Sequence, residues 1–226
     1  MARLPEISDA DRARIRDAVE AAEAKTAGEI FTVIAGTSDD YRVIPILWAT
    51  LAALLFPLLL LLAEYLTGWP SGDVWNADTT APAGLPAAWV YAAQLAIFIL
   101  LAIVLSLPRI RPLVVPRSIK DERAHAVAVQ QFLAHGLHLT EQRTGVLIFV
   151  SLAEHYAEII ADAAIAKKVD QAVWDDAMAA LLAEIRNGRL ADGLVAAVDR
   201  IGAVLAEHFP PRKRDANELS DDLVIL

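Results

Sequence analysis

Two stretches in the middle of this chain run 21 residues each without a charge: residues 43–63, VIPILWATLAALLFPLLLLLA, and residues 87–107, AAWVYAAQLAIFILLAIVLSL. Each matches the roughly 20 residues a helix needs to cross a hydrocarbon layer ~30 Å thick. Only a helix, or a closed barrel, satisfies its own backbone groups where no water is at hand. Aromatic residues suited to a membrane interface border both runs, with Tyr41, Trp48, Tyr65 and Trp69 around the first and Trp89 and Tyr91 at the start of the second. The pattern predicts a two-helix transmembrane hairpin over residues 43–108, with Pro57 removing one backbone donor inside the first span.

Charge placement gives this hairpin a direction. All 20 Lys and Arg fall outside residues 43–108, and the linker 64–86 holds none. Arg42 precedes the first span, and Arg109, Arg111, Arg117 and Lys120 follow the second. The positive-inside rule then places both ends of the chain in the cytoplasm and the 64–86 linker on the opposite side. The same basic cluster is a candidate site for anionic lipid headgroups, although its topological role accounts for it equally well. Within the spans the polar side chains are Thr50, Gln94 and Ser106, too few for an ion path through a pair of helices. A pore or transporter subunit would need oligomerisation, and Gln94 reads as a hydrogen-bonding group between helices. The expected partners are the lipid bilayer and a membrane protein. A net charge of −9 argues against nucleic acid. The absence of cysteine removes disulfides, thiolate nucleophiles and cysteine metal sites. The polar, acidic residues 1–11 do not read as a cleavable secretory signal.

The flanks, residues 1–42 and 109–226, read as two parts of one domain. Ser8 is placed to cap a helix in which Ile15, Ala18, Val19 and Ala22 recur at three and four residues. Glu29–Ala35, EIFTVIA, is an uninterrupted apolar run closed by Gly36 and a turn-like Thr37-Ser38-Asp39-Asp40, the pattern of a strand buried on both faces. Such a strand needs partners, and they come from beyond the hairpin. A helix over residues 121–138 precedes a second apolar strand, Gly145–Ser151, and a more amphipathic strand over residues 155–161. Helices over residues 170–186 and 190–207 close the pattern. Strand, helix, strand with both strands apolar implies a right-handed crossover and parallel pairing, and the second and third strands form an antiparallel hairpin. The expected fold is α/β: a small mixed sheet covered by helices, with the membrane hairpin inserted after the first strand. The polar tail ending in Leu-Val-Ile-Leu reads as a loop with a docked apolar end.

The string Thr26-Ala27-Gly28-Glu29-Ile30 leading into the first strand, and Arg143-Thr144-Gly145-Val146-Leu147-Ile148-Phe149-Val150-Ser151 after the crossover, resemble the TPM domain family. Ser38-Asp39-Asp40-Tyr41, Gln131-Phe132, His138-Leu139-Thr140, Phe209-Pro210-Pro211 and Asn217-Glu218-Leu219 follow in the order of its bacterial branch, in which two spans interrupt the domain. The resemblance implies an α/β/α fold. For some relatives it implies calcium binding and a weak acid phosphatase activity, and for others assembly or maintenance of membrane complexes. Two spans inside the domain, and Ala161-Asp162 where lumenal and secreted members have a Thr-Gly-type turn, depart from those members. No catalytic residue of the family is carried over.

Candidate chemistry gathers at the sheet's carboxyl edge. Asp39 and Asp40 follow the first strand and Ser151 and Glu154 end the second, so parallel pairing brings them to the edge where ligands of open α/β sheets bind. Asp39, Asp40 and Glu154 are the candidate metal ligands, and Ca²⁺ or Mg²⁺ is the cation that carboxylate oxygens alone would hold. The bland reading is that Asp39 and Asp40 form a turn and Glu154 is a solvated hairpin residue. Glu29 and Asp162 lie at the opposite edge, where Lys25, Lys167 or Lys168 can neutralise them. His135, His138 and Glu141 resemble a zinc triad superficially, and equally decorate a helix C-terminus. Gly-x-Ser-x-Gly and phosphate-cradling Gly-rich motifs are missing. The function expected is a binding module in the assembly or maintenance of a membrane complex, with a divalent-metal-dependent phosphatase as the alternative.

Overall fold

The computed structural model describes residues 7–67, 87–140, 142–211 and 219–226. In chain order its elements are α1 (Asp9–Glu23), β1 (Glu29–Ala35), α2 (Val43–Thr67), α3 (Ala87–Ser106), α4 (Arg111–Val114), α5 (Arg117–Ala134), a short 3-10 turn (Leu137–Leu139), β2 (Gly145–Ser151), β3 (Tyr156–Ala161), α6 (Ala163–Ala166), α7 (Gln171–Arg186), α8 (Leu190–His208) and β4 (Val224–Ile225). They form two compact units: Met1–Asp39 with Ser118–Leu226, and Asp40–Arg117. Most of the linker expected over residues 64–86 lies outside the described residues.

The first unit is a mixed four-stranded sheet in the order β3-β2-β1-β4, with helices on both faces. β1 and β2 pair in parallel from Glu29↔Gly145 to Ala35↔Ser151, and β3 returns antiparallel to β2. Every residue of β1 and β2 is buried, which is why the two runs are apolar without alternation. Ile30, Ile34, Val146, Ile148 and Val150 face the layer of α1, α7 and α8, where Ile15, Leu181, Leu194 and Ile201 meet them. Phe31, Val33, Leu147 and Phe149 face Ala124, Ala128 and Phe132 of α5. The fold class and strand pairing are those the sequence pattern predicts. Ser8 caps α1 as expected, its hydroxyl accepting from Asp11 N at 3.1 Å.

Three local features depart from the sequence reading. The apolar end Leu-Val-Ile-Leu does not simply dock: it forms β4, parallel to β1 with Val33↔Val224 and Ile34↔Ile225. Leu226 N donates to Ile34 O at 2.9 Å and Gly36 N to Leu226 O at 3.1 Å, giving partners to backbone groups on the outer edge of β1. α5 starts at Arg117, earlier than the apolar period shows, and stops at Ala134 because Gly136 takes a left-handed φ of 73°. The turn that follows lays the Leu137 carbonyl against Gly145, where any Cβ would collide with it. α6 was not foreseen, and Asp162 starts it by accepting from Ala163 N.

In the second unit α2 and α3 pack on each other. α2 runs through Pro57 without interruption. Trp48 Nε1 donates to Val114 O at 3.0 Å, joining α2 to α4. Two stretches are long and apolar enough to cross a membrane, Val43–Ala63 and Ala88–Ser106, and most of the leucines they carry are exposed.

Candidate functional site

The parallel pairing of β1 and β2 delivers both strand ends to one place. The ladder continues one step past each strand, with Leu152 N donating to Ala35 O at 3.0 Å and Ala153 N to Gly36 O at 3.2 Å. The chain then turns through His155, at a positive φ of 52°, into β3. That turn tucks Glu154 inward to 5% exposure, among three donors. Its Oε1 accepts from Ser38 N at 3.0 Å and shares the Thr37 hydroxyl, 3.1 Å away, with Asp39 O at 3.0 Å, and its Oε2 accepts the Ser151 hydroxyl. Because the Ser151 proton goes to Glu154, the Ser38 hydroxyl, 2.8 Å away, must be the donor to Ser151. The result is a directed chain of hydroxyls, Ser38 to Ser151 to Glu154, that fastens the exit of β1 to the exit of β2.

The three expected metal ligands are not gathered there. Asp39 pairs with Arg123 at 3.3 Å, Asp40 pairs with Arg42 at 2.9 Å in the other unit, and Glu154 is engaged as above. Among the described residues no group of three His, Asp or Glu is placed to hold a metal ion. Glu154 is filled by hydrogen-bond donors, which a cation would have to displace, so these residues do not fit Ca²⁺ or Mg²⁺ and no step is built on one. Nor does Ser151 present a nucleophile. It lies beside a carboxylate, but at 1% exposure with its hydroxyl bonded on both sides it is closed to a substrate.

The sheet's other edge holds its own ion pair. Asp162 receives Arg143 through two contacts of 3.2 Å, Nε to Oδ2 and Nη2 to Oδ1, so arginine takes the place in which lysine was expected. Lys168 instead stands over the Phe209 ring, 4.5 Å from its centre. Nearby, Glu23 at the end of α1 accepts from Ile30 N at 2.8 Å. Burial pushes its carboxyl from 4.5 up to about 9; the Ile30 N–H opposes this, and Glu29 and Asp221 add to it. The sequence shows Glu23 only as a polar residue of an amphipathic helix, and its burial depends on strands that come later in the chain.

His125, isolated in sequence, finds a partner across 33 residues: its Nδ1 is 2.9 Å from both oxygens of Glu158 on β3. Tyr156 Oη donates to the same carboxylate at 2.9 Å, and burial followed by that carboxylate raises the phenol's pKa. Only the face assignment of β3 could have found this trio, since Tyr156 and Glu158 are two apart on one side of a strand. His135 packs its ring 4.3 Å from that of Phe31 and meets Gln131 at 3.2 Å, a helix-end role. Glu141, third member of the zinc-like set, lies outside the described residues. Of the basic cluster, Arg109 and Arg117 are exposed and Lys120 is half-buried. Arg111 turns back to donate to Ser106 O at 2.9 Å and Asp40 O at 3.0 Å, closing the last turn of α3.

A mixed sheet between two helical layers, with its parallel centre split in sequence by two apolar helices, defines the class: a three-layer α/β domain with an insertion. Residues 108–204 match the TPM domain family. The match begins just past α3, so the matched sequence supplies α5, β2 and β3, while α1 and β1 complete the domain from the other side of the insertion. Among solved structures, the NMR structure of the BA42 protein from the psychrophilic bacterium Bizionia argentinensis is similar in fold, with a TM-score of 0.58 over 100% of both chains at 18% identity. No curated protein matches the sequence.

Proposed function

We propose that this chain is a two-span protein of a bacterial inner membrane whose TPM domain faces the cytoplasm and works by binding, in the assembly or maintenance of a membrane complex. The observation that carries the membrane reading is the outward display of leucine along α2 and α3: Leu58 is 59% exposed and Leu100 61%. Water would not tolerate a continuous apolar surface of this kind on a monomer, whereas lipid requires it. Arg42, Arg109 and Arg117 beside the spans support the cytoplasmic orientation. Arg109, Arg111, Arg117 and Lys120 are the basic residues we assign to the headgroup level after the second span.

Binding rather than hydrolysis is favoured by the closed carboxyl edge, where Ser151 and Glu154 have every reactive atom occupied. The test uses the full chain. Having no cysteine, it accepts single labelling sites without background. Cysteines placed before α2 and after α5 should both be labelled only from the cytoplasmic side, and cross-linking followed by detergent extraction should recover a membrane-protein partner. Labelling from opposite sides would overturn the topology. A pure preparation releasing phosphate at an enzymic rate would overturn the binding reading.

A further inference from the structure

Past Ser106 the chain turns at once. Ile110 N and Arg111 N both donate to Leu107 O at 2.9 Å, and α4 follows in contact with both α2 and α3. Trp48 fixes the level of α4. A helical side chain covers the turn before its own Cα, so the Trp48 ring lies over the first turn of α2, where its Nε1 donates to Val114 O at 3.0 Å. α4 is therefore level with the start of the apolar stretch Val43–Ala63 rather than beyond it. Arg111 reaches from the same element to Ser106 O at 2.9 Å and to Asp40 O at 3.0 Å. Two side chains thus supply donors to three backbone carbonyls. Open water would satisfy those carbonyls unaided, whereas a region poor in water requires protein donors. Beside them Leu113 is 81% exposed and Leu107 47%.

We infer that residues 107–114 lie in the boundary of the cytoplasmic leaflet, with Leu113 inserted among the acyl chains next to the headgroups and Trp48 holding the segment at that depth. The inference rests on the membrane reading above and adds a third lipid contact to the two spans. Continuity identifies the occupant: α4 belongs to the same compact unit as α2 and α3 and touches both, so the lipid around their exposed leucines is what meets Leu113. Arg109 and Arg117, exposed on either side of α4 in sequence, supply cations for the phosphate level. Apolar side chains among acyl chains and cations among phosphates are what an interfacial segment needs.

Depth-dependent quenching tests it. The cysteine-free full chain takes one fluorescent label, at Leu113→Cys, Leu54→Cys or Glu207→Cys, in vesicles of phosphatidylcholine and phosphatidylglycerol. Leu54 lies 11 residues after Val43, about 16 Å along the axis and so near the middle of the layer. Glu207 is exposed on α8. Lipids brominated near the headgroup end of the acyl chain should quench the Leu113 label more than lipids brominated near its tail, with the reverse order at Leu54. Aqueous iodide should quench the Leu113 label about three-fold less than the Glu207 label. Trp48→Phe removes the donor to Val114 O and should raise iodide quenching at Leu113→Cys about two-fold, leaving Leu54→Cys unchanged. A Leu113 label as open to iodide as the Glu207 label would overturn the inference, as would one shielded from iodide yet quenched by neither brominated lipid, which is the sign of a protein cover. Unchanged shielding in Trp48→Phe would overturn the role given to Trp48. In each of these cases bromolipid quenching at Leu54 keeps the membrane reading, whereas a Leu54 label open to iodide would sink that reading and the inference together.

Discussion

β1 and α2 are close in sequence and both strongly apolar, yet they dispose of their side chains in opposite ways. Across β1 every residue is buried, whereas along α2 leucine after leucine is exposed. The difference teaches that apolar content alone does not define a core. A strand buried on both faces has its neighbours supplied by the same chain, here β2, β4 and two helical layers. Each helix of this pair packs along one side on the other and meets α4 only near one end, so most of its circumference must meet something else.

Substitutions that treat the two regions alike should therefore have unlike effects. Phe149→Ala, at a fully buried position between β2 and α5, should destabilise the α/β unit by about 3–5 kcal/mol. Leu58→Ala on α2 should change the same unfolding free energy by less than about 0.5 kcal/mol. Hydrogen exchange of the β1 and β2 amides reads both, and an equal loss for the two variants would break the contrast. Leu100→Arg should cost about 2.5–3.5 kcal/mol of membrane insertion, seen as a larger fraction released by alkaline extraction, while leaving exchange in β1 unchanged.

Smaller effects sharpen the account of the α/β unit itself. Glu154→Leu removes the acceptor shared by Ser38 N, Thr37 and Ser151, and should cost about 1–3 kcal/mol, with exchange rising first at Ser38. Glu154→Gln keeps an acceptor for Ser38 N and should lose less than half of that. Glu23 gives the most specific signal, because it is confined to one pH window. Its folded carboxyl titrates near 9 against 4.5 when unfolded, so its favourable contribution is complete below 4.5 and is lost as pH rises towards 9. Glu23→Gln should flatten the fall of stability across that window, measured by urea unfolding in a pH series. A wild-type stability that rises between those limits, with the variant unchanged, would show that the carboxyl is ionised in the fold.

The sequence made the architecture legible where periodicity and burial coincide. Glu29–Ala35 and Gly145–Ser151 are apolar without alternation, which only a strand covered on both faces explains, and the apolar helix period of α1 found Ile15 and Val19. β4 escaped because two residues carry no period, and their strand character comes wholly from the open edge of β1 beside them. The candidate site was half legible. Parallel pairing correctly joined Glu154 to the end of β1, but Asp39 and Asp40 went to Arg123 and Arg42, because a turn's side chains follow whichever charges the neighbouring elements present.

By itself the sequence determined the lengths and apolar character of the two long helices, the parallel pair at the centre of the sheet, and the absence of any thiol chemistry, since each follows from local composition and spacing. Tertiary structure alone decided that Glu154 is a buried fastener, that burial raises the Glu23 carboxyl, and that His125 meets Glu158. Those outcomes depend on groups far apart in the chain sharing a low-dielectric neighbourhood, and no spacing along a single segment encodes which distant donor will arrive.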